Sequence, residues 1–221
     1  MGQTGMDGYP WKIEALETAK KYRTPFGVYV TGIDRKSNEK VAEVLAAKKQ
    51  KESFNYVGAV MTLPTGVQAM AEIQYVRPYE TLNYQNMLHR SFSYAAPGSM
   101  YEVSPDYGML VQAWNIYGVA RPVVTGFFGI RPMAHLEKVF VDPAMPRSWA
   151  EVALKNVPIS LNRTTINKSG ETDTISQKQD WSIVIPKTKY ELQSGIKHSL
   201  TTIDGNTYYE IHEKSFTIMV R

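Results

Sequence analysis

Cysteine is absent from all 221 residues. That excludes disulfides and thiolate-held metal sites within the chain, and it leaves the compartment open. Histidine is scarce. His89, His135, His198 and His212 stand far apart without metal-ligand spacing and fit core or surface roles better than a metal site. No run is long and apolar enough to span a bilayer, so no membrane partner is expected. The opening Met1-Gly2-Gln3-Thr4-Gly5-Met6-Asp7-Gly8 lacks the charged-then-apolar pattern of a secretion signal and reads as a cut point. A strong excess of one charge is also missing, with 25 Lys and Arg against 21 Asp and Glu. The only tight basic cluster, Lys48-Lys49-Gln50-Lys51, closes an expected helix, where cations suit the dipole; no nucleic-acid surface is expected. No cofactor and no metal are expected.

What remains is globular: 43% hydrophobic and 21% charged residues, enough chain for one large domain or two small ones. The first part reads as helical. Pro10 suits a first helical position and opens a segment over residues 10–23 with Trp11, Ala15, Leu16 and Ala19 on a partial apolar face. Ser37 caps a second helix reaching about Lys51. A third starts near Thr65 and shows Val67, Met70, Ala71 and Ile73; a fourth follows from Pro78 with Leu82, Tyr84, Met87 and Leu88. Glu72 and Glu80 on these helices read as solvated or first-turn acids.

The most informative stretch is Pro97-Gly98-Ser99-Met100-Tyr101-Glu102-Val103-Ser104-Pro105-Asp106-Tyr107-Gly108. Ser104 fits an N-cap, Pro105 the first helical position and Asp106 the positive end of the dipole. Tyr107, Leu110, Val111, Trp114 and Tyr117 then share a helical face, with Gly118 as a stop. Glu102, placed just ahead of that helix, is either a solvated loop acid or an ionised carboxylate held ready to take a proton. Tyr107 and Trp114 fit the core better than a ligand surface, Tyr101 is the better candidate to stack on a ligand, and Gln112 and Asn115 point away from the apolar face.

After Gly118, residues 120–130 read as a short helix. From Leu136 the character changes to short β-branched and aromatic runs: Leu136–Val141, Val152–Leu154, Val157–Ile159, Trp181–Ile185, His198–Ile203, Tyr208–Ile211 and Phe216–Val220. Asp204-Gly205 marks a hairpin turn. Residues 162–179, rich in Thr, Ser and Lys, read as a long loop or weak edge strands, and Asn162-Arg163-Thr164 and Asn167-Lys168-Ser169 match the glycosylation triplet. The expected class is therefore α+β, with a helical segment over 1–135 and a β-rich domain over 136–221.

Gly98-Ser99-Met100-Tyr101-Glu102, Asp106-Tyr107-Gly108 and Gln112-Ala113-Trp114-Asn115 together resemble the late helix pair of six-hairpin, (α/α)6-barrel glycosidases. The likeness is strongest to the amylo-α-1,6-glucosidase (glycogen-debranching-like) and α-L-rhamnosidase-like groups. The resemblance implies helical hairpins from part of an (α/α)6 toroid followed by a C-terminal β-sandwich-like domain. It implies an inverting glycoside hydrolase of carbohydrate metabolism, acting on α-linked oligo- or polysaccharides, with Glu102 as general base and Tyr101, Gln112 and Trp114 near the sugar. The general acid of those families lies on an earlier barrel loop that has no match here. The chain then reads as the C-terminal portion of a longer enzyme, inactive alone, whose partners are its carbohydrate substrate and a missing N-terminal barrel segment. The other reading is a non-catalytic carbohydrate-binding or degenerate glycosidase-like protein. Polysaccharide degradation suits a periplasmic or secreted setting, with a cytoplasmic one also open.

Overall fold

A computed structural model describes residues 10–30 and 59–221. The expected helix from Ser37 to Lys51 lies outside the described residues. The chain divides into two compact units, one ending at Pro122 and the other running from Val123 to Arg221.

The first unit is mixed. Helix α1 (Pro10–Ala19) runs into a 3-10 turn at Lys20–Tyr22, followed by strands β1 (Arg23–Thr24) and β2 (Gly27–Tyr29). Strand β3 (Val60–Met61) completes a three-stranded sheet in the order β1-β2-β3. Helix α2 (Thr62–Gln74) buries Thr62, Thr65, Gly66, Ala69, Met70 and Ile73, a three-and-four spacing that lays one face against its neighbours. It stops at Val76, whose φ is +57°, and Pro78 restarts the chain as the first residue of α3 (Pro78–His89). Helix α4 spans Ala113–Arg121 and passes into a π-helical stretch over Pro122–Phe127. Val28, Ala69 and Tyr84 form a small core, with Met87 packed against it. A complete or partial (α/α)6 toroid is not shown by these elements. No helix among the described residues is long and apolar enough to cross a membrane.

Two of the sequence expectations fail here for identifiable reasons. Gly118 does not stop a helix; it lies inside α4, because a glycine is needed where α4 meets α2. A Cβ on Gly66 would lie 2.2 Å from the Cα of Gly118, so the two backbones touch directly. Glu72 is not solvated either. It is fully buried, with Arg77 Nε 3.0 Å and Arg23 Nη2 3.9 Å from its carboxylate, and burial raises its pKa against the opposing pull of Arg77. Glu80 beside it behaves oppositely. Burial works against its charge, but hydrogen bonds from Lys20 (2.7 Å) and Arg23 (2.6 Å) outweigh that and hold it down at about 2.

The second unit is built from two five-stranded sheets, in the orders β10-β13-β8-β7-β6 and β11-β12-β9-β5-β4. Their strands are β4 (Ile130–Met133), β5 (Lys138–Val141), β6 (Glu151–Ile159), β7 (Asn162–Ser169), β8 (Thr172–Gln177), β9 (Ser182–Pro186), β10 (Tyr190–Leu192), β11 (His198–Ile203), β12 (Asn206–Ile211) and β13 (Ser215–Val220). Each sheet buries a row of alternating residues on one face: Ile166, Ile175 and Ile218 in one, Val139, Val141, Ile183, Ile185 and Ile211 in the other. A β-rich C-terminal domain is therefore present. Residues 130–133 are part of its sheet through antiparallel pairing with β5, where a helix end is expected from sequence.

The polar stretch from Asn162 to Gln179 is not a loop. It forms β7 and β8, two inner strands of their sheet, joined at Gly170 with φ +60°. Threonine's branched Cβ suits a strand as well as valine's, and every second residue faces inward. Asn162 itself is fully buried. Its Nδ2 donates to Gln177 Oε1 at 2.9 Å, and its Oδ1 accepts from the N–H groups of Arg163, Lys178 and Gln179. It is therefore no glycosylation acceptor in the folded chain. Asp142 links the two sheets: Lys189 Nζ and Tyr190 Oη both donate to its carboxylate, at 2.7 and 3.1 Å.

Two outcomes follow. Gly66→Ala forces the α2–α4 contact apart and costs about 1–3 kcal/mol or more; thermal unfolding should show a clear fall in Tm, and an unchanged Tm would contradict the contact. Asp173 is the second case: it is buried on the inner face of β8, and burial pushes its carboxyl up from 3.8 to about 6 despite Lys168 across the ladder. A raised carboxyl contributes stability that is full below 3.8 and lost as pH rises through about 6. Asp173→Asn should remove that pH dependence and stabilise the β-rich unit at pH 7 by on the order of 3 kcal/mol in denaturant unfolding.

Candidate functional site

Glu102 sits at the foot of a tight turn, not ahead of a helix. Val103 and Tyr107 exchange both backbone hydrogen bonds across the turn, at 3.0 and 3.1 Å. The Ser104 N–H donates to the Val60 carbonyl at 2.8 Å, and Val103 bridges Met61, so the turn is stitched to β3. Ser104 caps no helix, and residues 105–112 precede α4, whose N-cap is Gln112. The local signals Ser-Pro-Asp serve a turn as well as a helix start; the long-range bonds to β3 decide between them.

The backbone of Glu102 is held on both sides. Its N–H donates to the Met109 carbonyl at 3.0 Å, and its carbonyl accepts from the Thr62 N–H at 3.1 Å. Thr62 is the first residue of α2, so the loop satisfies an N–H that the helix cannot satisfy itself. The Thr62 hydroxyl donates to the Tyr101 carbonyl at 2.8 Å. From α4, Asn115 Nδ2 donates to the Met100 carbonyl at 3.0 Å, and Ser99 Oγ donates to the Leu110 carbonyl at 2.9 Å. Asn115 is fully buried, so its role is to hold this loop; it does not face outward as its sequence position suggests. Gly108, at φ +84°, leaves room for the acid: a Cβ there would lie 3.1 Å from Glu102 Oε2.

Glu102 as a residue is buried, at 8% exposure. Around it the sequence candidates fall differently. Tyr101 is half-buried on the same loop, Gln112 is half-buried at the start of α4, and Trp114 follows on its first turn. Trp114 and Tyr107 are 43% and 45% exposed, so neither is core. Met109, Leu110 and Val111 between them are exposed as well. The apolar face inferred for a helix is in fact an exposed apolar run beside the acid. The residues that fix the loop, Thr62, Asn115 and Gly108, are not singled out by sequence for this role. The Thr62-Leu63-Pro64 start of α2 is the one signal that a free helix N-terminus lies nearby.

Chemically, the arrangement presents one carboxylate on a rigid backbone, next to exposed aromatic and apolar side chains. A carboxylate so held can take a proton from water or from a hydroxyl. Among the described residues no group of three or more His, Asp or Glu is arranged to hold a metal ion.

No protein-family model matches the chain, and no curated protein matches it. Among solved structures, one neighbour is described as "Putative kojibiose phosphorylase from human microbiome", at 11% identity and a TM-score of 0.42. The match covers 72% of this chain and 18% of that one. A likeness at that identity and TM-score is loose and bears on no mechanism and no residue.

The hold on the loop is testable. Asn115→Ala leaves the buried Met100 carbonyl without its partner, at a cost of about 1–3 kcal/mol. Amide exchange at Glu102, whose N–H is bonded to Met109, should speed up with it; unchanged protection would show that α4 does not hold the loop.

Proposed function

We propose that this chain is the base-bearing, C-terminal part of an inverting glycoside hydrolase acting on α-linked oligo- or polysaccharides. Glu102 takes the proton from the attacking water. The observation that supports this most is the double anchoring of Glu102: its N–H and C=O are both bonded, to Met109 and to the first residue of α2, and Gly108 makes room for its carboxylate. Such anchoring fixes the backbone from which the carboxylate extends, which limits where it can reach an attacking water. The motif residues Gly98–Glu102, Asp106–Gly108 and Gln112–Asn115, which carry the resemblance to (α/α)6-barrel glycosidases, lie together in this loop and the start of α4.

Inversion needs a second carboxyl group roughly 6.5–9.5 Å from the first, with water between. In this reading that acid comes from a barrel segment of the same polypeptide outside this chain. Tyr101, Trp114 and Gln112 contact the sugar: the rings meet its C–H faces and the amide its hydroxyls. The exposure of Trp114 and Tyr107 also suits a second reading, in which the same surface holds a glycan without cleaving it.

One substitution separates the two. In the polypeptide that carries this chain, Glu102→Gln should lower kcat at least about 10³-fold while substrate binding changes by less than a few-fold. Near-normal turnover with intact binding would remove Glu102 from the mechanism. Glycan binding with no turnover in the unsubstituted polypeptide would favour the non-catalytic reading.

A further inference from the structure

The β-rich unit carries a cleft that the Glu102 loop does not use. Its volume is about 400 Å³, within the range of small-molecule sites. It lies on the face of the sheet opposite the core. Arg131, Phe140, Val184 and Glu210 stand side by side across β4, β5, β9 and β12, each one register away from the buried row of Val139, Ile183 and Ile211. Val184 is fully buried although it belongs to this outward row. Pro186 and Tyr208 are paired in the next row, and the Tyr208 ring meets Phe140 edge-on at 6.0 Å between centroids. The floor and one wall are thus apolar and aromatic.

The rim is polar and mixed in sign. Asn206 and Asp204 come from the β11–β12 turn, where Asp204 and Gly205 both have positive φ and close a two-residue hairpin. Arg131 stands exposed at the β4 side, and its side chain makes no hydrogen bond or ion pair among the described residues. The Asp142–Lys189 ion pair closes another side.

We infer that this cleft binds a neutral saccharide unit, at a site separate from the Glu102 loop. The chemistry of the lining selects that class. A wholly apolar ligand would strip water from Asn206, Asp204 and Arg131 without replacing it, which is costly. A polyanion would meet Asp142 and Asp204. A sugar ring has a C–H face for Phe140 and Tyr208 and a rim of hydroxyls that both donate and accept, matching Asn206, Asp204 and Arg131. The ligand class is drawn from this lining alone and does not depend on the role of Glu102.

The test uses the full polypeptide in a Glu102→Gln background, so that no glycan is consumed. A glycan array of neutral oligosaccharides is probed first, and the strongest binder is then titrated calorimetrically. Tyr208→Ala should weaken that binding at least tenfold and Asn206→Ala several-fold, whereas Leu161→Ala, at an exposed position of the same unit outside the cleft, should change it less than twofold. Asn206 lies beside an exposed turn, so Asn206→Ala and Arg131→Ala carry the test should Tyr208→Ala unfold. If no neutral glycan binds, or binding is indifferent to Tyr208, Asn206 and Arg131, the inference is overturned. Binding lost only through Trp114→Ala would overturn it while leaving the proposed hydrolase standing; Tyr208-dependent binding in a polypeptide whose turnover ignores Glu102 would do the reverse.

Discussion

The contact between Gly66 and Gly118 sets the geometry of the helical unit. Two helix backbones approach so closely that a Cβ on Gly66 would overlap the opposite Cα at 2.2 Å. Side chains normally keep helices 8–10 Å apart, and only glycine at the crossing permits less. Gln85 reinforces it from α3, donating to the Gly118 carbonyl at 3.0 Å. With α2 and α4 locked together, Thr62 at the head of one and Asn115 in the first turn of the other reach the same loop from two sides. Their bonds to the Tyr101, Glu102 and Met100 carbonyls then leave the backbone of the loop little freedom. Each such bond adds about 1 kcal/mol net, but losing one partner from a buried pair costs more, so the loop resists local opening.

The β-rich unit solves a different problem. Several inward positions of its strands are polar. Asn162 and Gln177 are satisfied by each other and by backbone groups of the following turn and of Trp181. The ladder around them therefore loses no hydrogen bond. Thr164 Oγ1 and Asp173 are exceptions: the hydroxyl is buried with no partner among the described residues, and the carboxyl's burial is not matched by a partner of equal strength. Asp142 acts across the sheets: it follows β5 and takes hydrogen bonds from residues at the start of β10, which ties the sheets at one edge. Gly129, at φ +64°, lets the backbone of Asp142 come close, since a Cβ there would lie 2.0 Å from the Asp142 carbonyl oxygen.

Local chemistry was a good guide where it was unambiguous. Pro78 after a left-handed Val76 starts α3, the alternation of β11 and β12 matches their ladder, and Asp204-Gly205 makes their turn. It misled where one signal serves two structures. Ser104-Pro105-Asp106 suits a helix N-terminus and a tight turn equally, and the choice is made by Val60, more than forty residues away in the chain. Gly118 suits a helix end and a helix crossing, and the choice is made by Gly66. The threonines of β7 and β8 look like a loop by composition but pair as inner strands. For the candidate site, Glu102 and its neighbours stood out as a contiguous motif. Thr62 and Asn115, which position it, did not, because their function exists only in three dimensions. Glu72 escaped for the same reason: nothing near it in sequence places Arg23 against it.

The central claim is that Glu102 activates water on the face of the sugar opposite the leaving group. The stereochemistry of the first product formed tests it most directly, read by proton NMR within seconds of mixing the complete polypeptide with a substrate of defined anomeric form. An inverted anomer that appears first and then mutarotates is the predicted result. A product that first appears with the configuration of the substrate would mean a covalent glycosyl intermediate, and Glu102 as the base of a single inverting displacement would be wrong.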